Sequence, residues 1–136
     1  MVKIDIDYTG DLRCTARHGP SGVTLQTDAP VDNHGRGELF SPTDLVATGL
    51  GTCMATILGI AAERKGWNLG GMRVQVVKEM TQTSPRRIAS LSVELFMPEG
   101  IAESDRPLIE KMVHSCPVHQ SLHPDIRVPI TVHWPI

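Results

Sequence analysis

Charge of either sign is nearly balanced in this 136-residue chain, with a formal net charge of −2 and a pI near 6.3. Without a basic excess there is no electrostatic footprint for nucleic acid, and five aromatic residues are too few to build a stacking surface. Nucleic-acid partners are therefore set aside. Cysteine is scarce as well: three residues, an odd number with no CxxC pair, do not fit a secreted disulfide framework and do fit a reducing compartment in which free thiols persist. The N-terminus alternates charged with apolar residues and lacks the apolar core of a signal sequence, and no uninterrupted apolar run reads as long enough to span a bilayer. These absences point to a cytoplasmic protein with no membrane partner. Internal repeats and low-complexity tracts are also missing. A chain of this length buries roughly two thirds of its unfolded surface, so residues 1–136 are expected to form one domain around one core.

What is present is strongly periodic. Val2, Ile4, Ile6 and Tyr8 alternate with charged residues, and Cys14 and Ala16 with Arg13, Thr15 and Arg17. Turn chemistry at residues 9–11 and 19–22 separates these runs, so strands are expected at 2–8, 12–17 and 23–27. Residues 28–40 hold glycines, a proline and polar side chains, and read as an irregular connection of the length that often carries function. A long helix then spans 41–64. Ser41 stands as its N-cap, Pro42 at its first position and Asp44 in its first turn, and Gly66 supplies the stop. Between Leu45 and Ala62 apolar or small residues cover nearly every face, which marks a helix buried on most sides. Its glycines cost roughly 1 kcal/mol each in helix propensity, so a close neighbour, such as a second copy of the same helix, is expected against them.

Beyond it, alternation predicts strands at 72–81 and 87–97. An amphipathic helix follows at 104–115, with Ser104 as its cap and Leu108, Ile109, Met112 and Val113 as its buried stripe. Pro117 breaks that helix and opens a short one at 118–122, and a last strand covers 126–134. The order β-β-β-α-β-β-α-α-β implies an α+β domain with antiparallel sheets around a long central helix.

Three side chains carry possible chemistry. Cys53, in the middle of the apolar helix, reads most simply as a small buried hydrophobe, and Cys14 as strand core filler. Cys116 lies just before a helix-opening proline, where backbone amides favour a thiolate, and a reactive role is as natural there as a structural one. Cys116, His119 and His123 would share one helical face, with His114 close by, yet this is a weak zinc signal because no second ligand cluster completes it. No metal or cofactor is expected, and His119 is better placed to tune a thiol.

The segment SPTDLVATGLGTC resembles the motif of the OsmC/Ohr family of thiol-dependent peroxidases, in which a proline opens a long central helix and a cysteine follows eleven residues later, as Pro42 and Cys53 do. Cys116-Pro117 is similar in position and surroundings to the second family cysteine, and the element order matches along essentially the whole chain. The resemblance implies an intertwined homodimer with central helices packed together and active sites at the interface. It also implies that Cys53 attacks the peroxide, forming a sulfenic acid, and that Cys116 resolves it as a disulfide. Organic hydroperoxides suit the apolar surroundings, with hydrogen peroxide a further candidate, and an external dithiol must recycle the pair. Thr43 stands where better-understood branches carry a glutamate that partners an activating arginine. Arg36 and Glu38 are the substitutes to examine, with Asp44 behind them. A second reading keeps the same cleft without turnover, as a thiol-bearing binding protein for a small apolar or electrophilic ligand.

Overall fold

The computed structural model describes all of residues 1–136, and the backbone falls into two compact units, Met1–Val46 and Ala47–Ile136.

The first unit is a three-stranded antiparallel meander of β1 (Ile4–Gly10), β2 (Arg13–His18) and β3 (Thr24–Asp28), in that order. Its first hairpin turns one residue later than the sequence suggests. Asp11 and Leu12 both adopt positive φ, 55° and 63°, the combination that matches a tight hairpin to strand twist. Leu12 therefore belongs to the turn, and its N–H is held by the Tyr8 hydroxyl at 3.3 Å. Register places Ile6 opposite Ala16 and Ala16 opposite Leu25, with Tyr8, Cys14 and Thr27 forming the next row. Directly paired residues share a face, so these rows make one apolar side of the sheet. That side is open: Ile6 is 65% exposed and Tyr8 66%. The other side carries charge, including the cross-strand pair Arg17 and Asp5 at 3.5 Å. The connection after β3 is closed at its neck, where the Asp28 N–H donates to the Phe40 carbonyl at 3.1 Å, and it contains one 3-10 turn, Val31–Asn33.

Helix α1 (Pro42–Lys65) begins where its signals place it. The Ser41 hydroxyl accepts the Asp44 N–H at 3.1 Å, and the Asp44 carboxylate accepts the Ser41 N–H at 2.9 Å, a reciprocal cap that satisfies two orphan donors. Gly66 ends the helix at φ 73°. Contrary to the sequence expectation, the helix is not buried on most sides: only the stripe Ala47, Leu50, Gly51, Met54, Leu58 and Ala62 is buried. By length and mean hydropathy this helix would be able to cross a bilayer, which corrects the reading that no such run exists. Its buried stripe instead packs into the protein core, and a Cβ on Gly51 would come within 2.9 Å of a Val76 methyl.

That core rests on a second sheet with the order β4 (Arg73–Met80), β5 (Ile88–Phe96) and β6 (Ile130–His133). Leu91, Val93 and Leu95 of the central strand are buried with Leu50, Met54 and Leu58. β4 and β5 pair antiparallel, but β5 and β6 pair parallel, so the sheet is mixed where an antiparallel one was expected. Parallel pairing needs a crossover, and the segment between the two strands supplies it with α2 (Arg106–Met112) and α3 (Pro117–Ser121). The last strand is shorter than the alternation suggests. Ser104 does not cap α2: it lies in a preceding 3-10 turn, Glu103–Asp105, and Asp105 stands at the N-cap without a side-chain bond. The Asp105 carboxylate accepts the Trp67 indole N–H at 3.0 Å instead.

Candidate active site

Cys53 sits midway along α1, beside the buried stripe, and is half-buried because its neighbours Thr52 and Thr56 face outward. Cys116 approaches from the crossover. A last 3-10 turn, Val113–Ser115, ends the α2 segment, and Cys116 then turns extended, at φ −65° and ψ 140°, because the following proline disfavours helix at that position. This places the thiol at the N-cap of α3, where its Sγ accepts the His119 N–H at 3.2 Å. Cys116 is fully buried in the same core cluster that includes Ile109 and Val113.

The two thiols are neighbours: both are free, Cys53 packs against the core cluster that contains Cys116, and its side chain acts on the Cys116 thiol. Burial pushes the Cys116 thiol up from its ordinary value, the His119 amide opposes that, the adjacent Cys53 adds to the rise, and the Val118 amide works against it. Two neighbouring reduced sulfurs are the starting point for a reversible disulfide. The histidines around them are engaged locally. His119 Nδ1 bonds the His114 carbonyl at 3.0 Å, and His123 Nδ1 accepts the Asp125 N–H at 3.0 Å.

The charged loop residues are placed differently from the sequence reading. Arg36 and Glu38 do not pair with each other: Arg36 is exposed, and the Glu38 carboxylate is held by Arg13. Arg13 also donates to Asp28 at 3.4 Å, and Asp28, whose side chain is buried, accepts the Glu38 N–H at 3.1 Å. Asp44 is occupied by its capping bond. Arg13 and Asp28 were absent from the sequence reading because only the β2–β3 register sets them opposite each other. An acidic residue closing a strand is the one local hint. Arg13→Ala leaves a buried carboxylate without its cation and is expected to cost about 2 kcal/mol, read as a lower urea midpoint at unchanged slope.

An α+β core with a half-buried thiol on its long helix beside a buried capping thiol defines a class of thiol proteins, and the comparisons narrow it. The model of the OsmC-like protein family matches residues 35–131. A crystal structure from Psychrobacter arcticus 273-4, of a protein named for an osmotic stress induced and detoxification response, is 38% identical at a TM-score of 0.91, covering 98% of this chain and 96% of that one. This chain belongs to the OsmC-like family. The fold is shared by more distant proteins. An OsmC like protein from Mycoplasma pneumoniae is 15% identical with a TM-score of 0.82, over 98% of this chain and 96% of that one. An organic hydroperoxide resistance protein from Elizabethkingia anophelis is 18% identical with a TM-score of 0.78, over 99% and 96%. No protein with a curated description matches.

Proposed function

We propose that this protein is a cytoplasmic cysteine peroxidase that reduces organic hydroperoxides. The observation that carries the reading is the neighbouring pair of free thiols, one half-buried on a helix and the other buried at a cap. In this cycle the Cys53 thiolate attacks the O–O bond and releases an alcohol, leaving Cys53 as a sulfenic acid. Cys116 then attacks that sulfur and expels water, and an external dithiol returns the resulting disulfide to two thiols while being oxidised itself. Relatives named for hydroperoxide resistance support the substrate class.

Titration with cumene hydroperoxide, followed by mass spectrometry of alkylated peptides, tests the reading. One equivalent is expected to convert the protein to an intramolecular Cys53–Cys116 disulfide, reversed by dithiothreitol, and two untouched thiols would refute it. Closure is expected to quicken as pH rises through and beyond the ordinary thiol range, because burial raises Cys116 and only its thiolate attacks.

The working form in this reading is a homodimer. The open apolar face of the first sheet and the outward side of α1, where Ile60 is 52% exposed, are surfaces a second copy would cover. Sedimentation equilibrium is expected to return twice the 14.9 kDa chain mass, and a mass of 14.9 kDa would remove the dimer.

A further inference from the structure

A helix of five residues is too short to hold itself together in water, so α3 depends on what anchors it. Two anchors are apolar: Val118 and Leu122, one turn apart, pack against the core cluster. Two more are polar and converge on one atom. The His114 carbonyl, two residues before Cys116, accepts from His119 Nδ1 at 3.0 Å and from Gln120 Nε2 at 2.9 Å. A carbonyl oxygen only accepts, so the His119 ring carries its proton on Nδ1, and a second proton on Nε2 would leave that bond in place. The two bonds join the chain on either side of Cys116 and close the turn whose His119 N–H donates to Cys116 Sγ at 3.2 Å. The Cys116 carbonyl is tied into the same turn by the Gln120 N–H at 3.1 Å.

We propose, resting on the peroxidase cycle inferred above, that His119 and Gln120 are positioning residues for Cys116: by clamping α3 to the His114 carbonyl they keep the His119 amide aimed at the Cys116 sulfur. His119 thus tunes the thiol through its backbone, with its ring serving as an anchor. In the step this assists, the Cys116 thiolate bonds to the Cys53 sulfur, and the hydroxide expelled from the sulfenic acid leaves as water with the proton that Cys116 gave up. Before that attack Cys116 must become an anion, and an amide already fixed on the sulfur strengthens as a hydrogen bond without reorganising. The clamp matters because burial and the neighbouring Cys53 oppose ionisation, while the His119 and Val118 amides favour it. Cys53 is the titratable group that acts on this thiol from another element. Without the clamp, α3 keeps only its apolar anchors and is free to turn the His119 N–H off the sulfur.

The pH at which Cys116 ionises reads the clamp without any reagent having to reach the sulfur. The reduced whole protein, labelled with carbon-13 at the cysteine Cβ atoms, is titrated by NMR, and the Cys116 signal is assigned from Cys116→Ser. The double variant His119→Phe, Gln120→Leu removes both donors and is expected to raise the Cys116 midpoint by about one pH unit, and each single change by less. His119→Asn, whose side-chain amide nitrogen reaches about as far as Nδ1, is expected to keep the parent midpoint. An unshifted midpoint in the folded double variant, or equal shifts in His119→Phe and His119→Asn, would overturn the proposal. If the double variant does not fold, the comparison of His119→Phe with His119→Asn decides alone. The titration needs no peroxide, so a parent protein that stays reduced under cumene hydroperoxide would fault the peroxidase reading and leave the clamp standing.

Discussion

Replacing Cys53 by serine is expected to lower hydroperoxide consumption in the presence of dithiothreitol by about three orders of magnitude or more, the scale on which removing a nucleophile acts. A serine hydroxyl is not ionised near neutral pH and does not form the sulfenic acid through which the cycle runs. The companion variant, Cys116→Ser, separates the two roles. It retains the attacking thiol, so with dithiothreitol left out one equivalent of peroxide is still consumed, but the sulfenic acid now persists or oxidises further instead of closing to a disulfide. A ferrous-oxidation assay of residual cumene hydroperoxide reads both variants. Consumption by Cys53→Ser at the parent rate would mean that the thiol pair is structural.

The second large effect lies in the core. Leu58→Ala removes buried methylenes from a residue with no exposed surface, packed in the cluster with Leu91, Val93 and Leu95. Lost transfer energy and the cavity left behind are expected to cost about 3 kcal/mol. For a chain of this size that corresponds to a melting temperature lower by roughly 10 °C. Val77→Thr, on the exposed side of β4, is the control and is expected to stay within about 0.5 kcal/mol. Equal losses from the two variants in thermal melts would mean that α1 does not supply the core of the second unit.

Local signals carried much of this structure. Ser41, Pro42 and Asp44 mark the start of α1 because a cap is built from residues three apart, and Gly66 marks its end because only a residue tolerant of positive φ closes it so cheaply. Period-two alternation located the strands, since it depends on nothing but the pleat. Cys116-Pro117 announced a break and a capped turn for the same reason: the steric rule acts between neighbours.

Other features depend on tertiary structure. Which side of α1 is buried could not be read from a helix apolar on nearly every face, because the missing polar stripe is the signal that would have oriented it. The parallel pairing of β5 with β6 is set by a crossover between them rather than by either strand's pattern, and the Arg13, Asp28 and Glu38 network exists only because a particular β2–β3 register places the first two opposite each other. By itself the sequence determined the kind and order of the elements, the bounds of α1 and which residue types were available for thiol chemistry. That Cys53 and Cys116 are neighbours, one half-buried and the other buried, was decided by folding, because proximity between residues far apart in the chain follows from how the core packs around them.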